Sequence, residues 1–265
     1  MRPRLIATDL DGTLLRSDGS VSERTAAALL AAEGAGIVVV FVTGRPLRWA
    51  REVFAHVGGH GLAIVSNGAL AWDVAADAPA QLRAIEPEVG LEACSRLREA
   101  VPGTAYAVET LAGIALEPGF LERHPVPDGA RRGDLTAIFD APAVKLLARH
   151  EALGPQEFWD AAAEAVGDVL EITWSSATTL LEMSAHGVTK ASTLEGVAAG
   201  LGIEAAEVVA FGDMPNDLPL LAWAGTGYAM ANAHETVLAG TPHHAPANDE
   251  DGVARVIEEI LGRAR

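Results

Sequence analysis

The sequence predicts an α/β fold: a Rossmann-like core, with a parallel sheet flanked by helices, and an inserted α+β domain. Three observations carry this. Short apolar runs end in polar turns, most of them with a glycine close by, after Leu5–Thr8, Ile37–Val42, Leu62–Val65 and Val208–Phe211. Helical patterns lie between those runs. The middle of the chain instead alternates or breaks, with Pro118, Pro125, Pro127, Pro142 and Pro155 as punctuation.

Leu5–Thr8 runs into Asp9, and Ile37–Val42 into Thr43-Gly44-Arg45-Pro46. Runs this short, this apolar and rich in β-branched residues read as strands buried on both faces. Between these two strands, Ser22 suits the N-cap of an alanine- and leucine-rich helix that ends near Gly34-Ala35-Gly36. Leu62–Val65 runs into Ser66-Asn67-Gly68, and Asp73 to Pro79 reads as a short connector towards the inserted domain. From Ile85 to Met183, Thr104–Val108, Ile114–Leu116, Val144–Leu147 and Glu171–Leu181 read as extended, and Glu151–Val166 as a helix. A further helix opens at Thr189 or Lys190 and closes at Gly200–Gly202, before Val208–Phe211 runs into Gly212-Asp213. Strand, turn, helix, strand implies a parallel sheet with right-handed crossovers. The core is thus expected over residues 1–84 and 184–265, and the inserted domain over 85–183.

Composition bounds the function. The chain has 265 residues, of which 49% are hydrophobic, which suits a globular fold with a real core. A net charge of -17 disfavours nucleic acid and anionic lipid as partners. It also repels phosphorylated metabolites at long range, so a phosphate site here needs local cations. Cys94 is the single cysteine, which excludes an internal disulfide and a cysteine zinc cluster. No apolar run approaches the ~18 residues of a membrane span. Asp9 and Asp11 precede any long apolar stretch, so no signal peptide and a cytoplasmic location are expected.

Four motifs carry chemistry. Asp9-Leu10-Asp11-Gly12-Thr13 begins where a strand ends, and in open α/β sheets ligands bind outside the carboxyl ends of the strands. Two carboxylates two residues apart suit a hard divalent cation, and can also divide into nucleophile and proton donor. A calcium loop would need its glycine at position six and a helix upstream; here the glycine is at position four and a strand lies upstream. Thr43-Gly44-Arg45-Pro46 sits at a second strand end and opens a helix, whose N–H groups can bind phosphate; alone, Thr43 would read as an N-cap. Gly212-Asp213-Met214-Pro215-Asn216-Asp217 adds a carboxylate at a third strand end, where Asn216 or Asp217 could equally cap a helix. Lys190 sits near a helix start, which opposes the helix dipole unless an anion lies in front. Alone it would read as a surface lysine. Together, compatible polar residues at three strand ends and a cation where phosphate can use it indicate phosphoryl chemistry. The histidines carry no such pattern: His56 and His60 are separated by glycines, and His243-His244 read as surface or strand residues.

These four motifs, in this order, resemble the haloacid dehalogenase superfamily, and most closely its Cof-type, subfamily IIB phosphatases. Asn67-Gly68 and Met230-Ala231-Asn232-Ala233 resemble that group's recurring segments. The resemblance covers the whole core, and the inserted domain resembles the family's cap. It implies a Mg2+-dependent phosphatase acting on small phosphate monoesters, such as sugar phosphates or phosphorylated cofactors. Asp9 would be the nucleophile, forming an aspartyl-phosphate. Asp11 would be the acid and base, protonated while buried beside Asp9, with its carbonyl on the metal. Asp9 and Asp213 would supply carboxylates to magnesium. Thr43 and Lys190 would hold the phosphoryl group, Gly44 and Asn216 would bind substrate or phosphate, and Arg45 would meet the substrate, the cap or Asp residues of the core. Asn216 and Asp217 would orient Lys190 and the metal waters. Specificity would come from cap residues facing Asp9, and the presence of an inserted domain motivates the hypothesis that it closes over the site. A sugar phosphomutase and a non-catalytic sugar-phosphate sensor remain as alternatives on the same fold.

Overall fold

The computed structural model describes residues 2–57, 61–173 and 179–262. The chain divides into two compact units. One comprises residues 1–45, 49–81 and 189–265; the other comprises 46–48 and 82–188.

The first unit contains β1 (Leu5–Thr8), α1 (Glu23–Gly34), β2 (Val38–Val42), most of α2 (Leu47–Val57), β3 (Leu62–Val65), β4 (Leu70–Asp73) and β5 (Ala78–Leu82). The second unit follows with α3 (Pro87–Ala100), β6 (Ala105–Thr110), β7 (Gly113–Leu116), β8 (Arg131–Arg132), α4 (Leu135–Ile138), β9 (Ala143–Arg149), α5 (Pro155–Val166), β10 (Leu170–Thr173) and β11 (Leu180–Ala185). The chain then returns to the first unit with α6 (Lys190–Gly200), β12 (Val208–Gly212), α7 (Leu218–Trp223), β13 (Thr226–Met230), α8 (Glu235–Gly240), β14 (His243–Ala245) and α9 (Gly252–Gly262).

The core sheet runs β14-β13-β12-β1-β2-β3-β4-β5. Its strands from β14 to β3 pair in parallel, while β3 and β4 are antiparallel. β1 lies between β2 and β12, with Thr8 level with Phe41 and Phe211. Leu5, Ile6 and Ala7 are fully buried, because both faces of this sheet are covered, as an all-apolar strand requires. The sheet is flanked by helices: α1 packs on α9, and α6 on α7. Ser22 caps α1 through Thr25 N–H at 3.0 Å.

The stretch read as a connector, Asp73 to Pro79, is the turn 74–77 with the ends of the two strands it joins. β4 and β5 extend the sheet beyond β3. Pro79 is tolerated because β5 is an edge strand, where a missing N–H leaves no ladder bond broken. α5 also starts later than expected, at Pro155, because Gly154 caps it and proline suits the first helical position.

The second unit carries a sheet of order β10-β11-β9-β6-β7-β8. Its pairs are antiparallel except for β7 with β8. α3 and α5 pack together over a core that includes Tyr106, Leu146, Phe158 and Met183. A smaller cluster gathers Ala107, Ile114, Leu116, Phe120 and Leu147. Alternation along β9 places Lys145, Leu147 and Arg149 on the same side of the strand. Lys145 pairs with Glu182 at 2.9 Å. Part of the Glu171–Leu181 expectation, including Trp174, and His60 lie outside the described residues.

Candidate active site

β1 delivers Asp9 at its carboxyl end, where Asp9 N–H donates to Phe211 O at 3.1 Å and ties the loop to the end of β12. The chain then makes a wide turn over Leu10–Leu14, closed by Leu15 N–H donating to Leu10 O at 2.8 Å. Gly12 allows this turn, at a φ of 73°. It also leaves room for Asp213, since a Cβ at Gly12 would lie 2.3 Å from Asp213 Oδ2. Thr13 Oγ1 donates to Asp213 Oδ1 at 2.8 Å, so the first and third motifs are bonded directly.

Lys190 lies at the start of α6, which Thr189 and Ser192 cap reciprocally. Its ammonium is buried and donates to Asp9 Oδ1 at 2.8 Å and Asp217 Oδ1 at 2.6 Å. Asp217 Oδ2 accepts N–H groups from Asp213 (3.0 Å) and Met214 (3.1 Å). Both oxygens of Asp217 are therefore committed to shaping the site. Asp9, Asp213 and Asp217 each bring one carboxylate oxygen within 4.8 Å of the others.

The electrostatics follow from burial. Burial raises Asp9 well above the ordinary carboxylate range, and the Lys190 charge offsets this only in part. Burial and the Asp217 charge push Asp213 up to about 6. Burial alone would lower Lys190, but Asp217 and Asp9 outweigh it and hold the ammonium above its ordinary value. Three carboxylates against one ammonium leave two negative charges unbalanced in this cluster. An all-oxygen donor set of that charge fits a hard divalent cation such as magnesium. Asn216, next in sequence to Asp217, has its Oδ1 buried and without a hydrogen-bond partner.

The second motif forms the neighbouring loop. Thr43 is buried, its N–H donates to Ile64 O at 2.8 Å, and its Oγ1 accepts Arg45 N–H at 3.0 Å. Arg45 grips Asp11 at two points, with Nε 2.7 Å from Oδ2. Asp11 is not buried, contrary to expectation: its side chain is 59% exposed and turned to the Arg45 guanidinium. Gly44 separates these two anchors of the loop.

The structure thus joins Asp9, Lys190, Asp213 and Asp217 in one bonded cluster, and Thr43, Gly44, Arg45 and Asp11 in a second group. Thr13 was visible only as part of its motif. Asn232 donates from Nδ2 to Gly12 O at 2.7 Å and accepts Asn248 N–H at Oδ1 (3.0 Å), which fastens the first loop to the last quarter of the chain. Its sole signal was the Met230–Ala233 segment. Asn67 bonds Asn216 at 3.1 Å, and nothing in the residue pattern pairs these two.

A family model described as haloacid dehalogenase-like hydrolase matches residues 6–257. The chain belongs to this family. Among its relatives, the 5-amino-6-(5-phospho-D-ribitylamino)uracil phosphatase YitU of Bacillus subtilis (strain 168) is 27% identical over 98% of each chain. The HMP-PP phosphatase of Serratia proteamaculans (strain 568) is 30% identical over 87% of this chain and 84% of its own. The structure described as the subclass IIB sugar phosphatase BT4131 superposes with a TM-score of 0.79 at 20% identity, covering 97% of this chain and 99% of that one. The fold is therefore that of a subclass IIB haloacid dehalogenase-like protein, as the motifs imply. The hydrolase is an enzyme of a family whose named relatives include phosphatases. Among the described residues, no helix is long and apolar enough to cross a membrane.

Proposed function

We propose that this hydrolase is a Mg2+-dependent phosphatase that cleaves small phosphate monoesters by way of a phosphorylated Asp9. The observation that carries the reading is the buried Asp9–Lys190–Asp217 chain beside Asp213, two charges short of neutrality. A carboxylate that attacks a phosphate dianion meets like charge, about 4 kcal/mol per unit pair at ~4 Å in a medium of dielectric 20. Lys190 offsets part of this. Magnesium, held by Asp9, Asp213 and the Asp11 carbonyl, would supply the remaining positive charge.

The chain's own residues account for the rest. Lys190 takes Asp9 Oδ1, which leaves Oδ2 for attack on phosphorus. As that P–O bond forms, the bond to the leaving alcohol breaks, and Asp11, released by Arg45 and protonated from solvent beforehand, delivers that proton to the departing oxygen. Asp11 then takes a proton from water, which attacks the aspartyl-phosphate and frees Asp9 and inorganic phosphate. Thr43, Gly44 and Lys190 hold the phosphoryl oxygens, and Arg45 receives the substrate's charge when it releases Asp11. The relatives' names favour phosphorylated cofactor intermediates, and the fold's likeness to BT4131 keeps sugar phosphates in the same substrate class.

The test is phosphate release from a panel of such monoesters, with magnesium and with chelator, for native protein and Asp9→Asn. Magnesium-dependent release that vanishes in the variant is expected. Binding without release would indicate a sensor instead, and turnover only with added bisphosphorylated sugar a mutase.

A further inference from the structure

The turn after β3, Ser66-Asn67-Gly68, touches three segments of the phosphate site: the Thr43–Arg45 loop, the start of α6 and Asn216. Ser66 N–H donates to Arg45 O at 2.9 Å and Asn67 N–H to Thr43 O at 3.1 Å, so the turn anchors the Thr43–Arg45 loop. Gly68 O accepts Thr193 Oγ1 at 2.7 Å. Gly68 has a φ of 108°, and a Cβ there would lie 2.3 Å from Thr189 O. The turn's far end therefore seats the start of α6, where Lys190 sits. Its middle reaches Asn216, whose Nδ2 donates to Asn67 Oδ1 at 3.1 Å.

This turn is held against its preferences. Ser66 and Asn67 have φ values of 51° and 55°, two successive side-chain-bearing residues in the left-handed region, and both are buried. Such backbone persists only where its surroundings over-determine it, and it concentrates at functional sites. Two further atoms point the same way. Ser66 Oγ and Asn216 Oδ1 are buried with no hydrogen-bond partner. Unmade buried hydrogen bonds are rare enough to require a reason. With its amide nitrogen engaged by Asn67, Asn216 is left with its oxygen unspent, next in sequence to Asp217.

We infer that Asn67 is a positioning residue for the cation site: it fixes the Asn216 amide so that Oδ1 is presented to the water shell of a divalent ion at Asp9 and Asp213. This rests on the magnesium site of the proposed function. Residues that orient ligands in this indirect way typically change metal affinity 10–100-fold when removed. No other side chain at position 67 combines tolerance of the left-handed backbone with a neutral oxygen acceptor of this reach, since aspartate would add a charge.

The experiment is calorimetric titration of substrate-free protein with magnesium chloride, for native chain, Asn67→Gly, Asn216→Ala and the double variant. Glycine keeps the left-handed backbone and removes only the side chain. Asn67→Gly is expected to weaken magnesium binding about 10–100-fold. In the Asn216→Ala background the same substitution is expected to change affinity less than about threefold, because the two act as one unit. Asn67→Ser, too short to reach Asn216, is expected to match Asn67→Gly and serves where glycine impairs folding. Native affinity in both single variants at position 67, or a full additional loss in the double variant, overturns the inference. So does a native chain that binds no magnesium, whatever its phosphate release. Coupled losses in a protein that releases no phosphate keep this inference and overturn the phosphatase reading alone.

Discussion

Arg45 and Asp11 are locked in a two-point ion pair, guanidinium to carboxylate, with Arg45 Nε 2.7 Å from Asp11 Oδ2. The residue proposed to move protons is thus restrained by the residue proposed to meet the substrate. The Asp11 side chain is 59% exposed, so the pair contributes little to stability.

Activity and stability should therefore separate at this pair. Asp11→Asn is expected to abolish phosphate release while unfolding free energy stays within ~1 kcal/mol of native. Urea denaturation alongside the release assay checks this. A large stability loss would mean that Asp11 is structural.

Lys190 is the opposite case. Lys190→Met leaves Asp9 and Asp217 buried without their cation. A buried pair broken on one side costs about 3–5 kcal/mol, so the magnesium-free variant should be destabilised on that order. Adding Asp217→Asn should recover part of the loss. A double variant no more stable than the single one would argue against charge as the cause.

The cluster also sets a pH dependence. Asp213 titrates at about 6 in the folded protein against 3.8 for a free aspartate. A raised value favours the folded state while the group is protonated. That contribution is complete below about 4 and is lost as pH rises through about 6. Magnesium-free protein should therefore gain up to ~3 kcal/mol from this group between pH 7.5 and pH 4. Asp213→Asn removes the gain. Denaturation curves of both proteins across that range, read as their difference, decide it; parallel curves would rule the shift out.

Gly12→Ala is expected to damage the cation site specifically. The new Cβ would lie 2.3 Å from Asp213 Oδ2, whereas at Gly19, also left-handed, it would meet nothing within 4 Å. Both variants carry ~1–2 kcal/mol of backbone strain. Only Gly12→Ala should also lower magnesium affinity in calorimetry, and equal affinities would show that the Asp213 contact is relieved by small shifts.

Much of the fold was legible because the buried parallel strands are uniformly apolar and end in the motifs themselves, as at Leu5–Thr8 before Asp9 and Val208–Phe211 before Asp213. β5 was not, since Ala78–Leu82 is an exposed edge strand with a proline, and its sequence reads as a loop. In the site, Asp9, Lys190 and Asp213 stood out as chemistry at strand and helix ends. The Thr13–Asp213, Asn67–Asn216 and Asn232–Gly12 bonds join residues far apart in the chain. No local pattern encodes such pairings; they exist only once the sheet order is known. Asp11 was misjudged as buried because the motif says nothing of a guanidinium waiting in the next loop.

The placement of β1 between β2 and β12 has a consequence for biosynthesis. Thr13 and Asp213 are 200 positions apart, so β1 acquires its second neighbour only after some 200 further residues have been made. At roughly 5–20 residues per second, that is about 10–40 s during which the nascent chain carries an apolar strand paired on one edge alone. Chaperone dependence during that window, and poor recovery of chains terminated before β12, are what this arrangement entails.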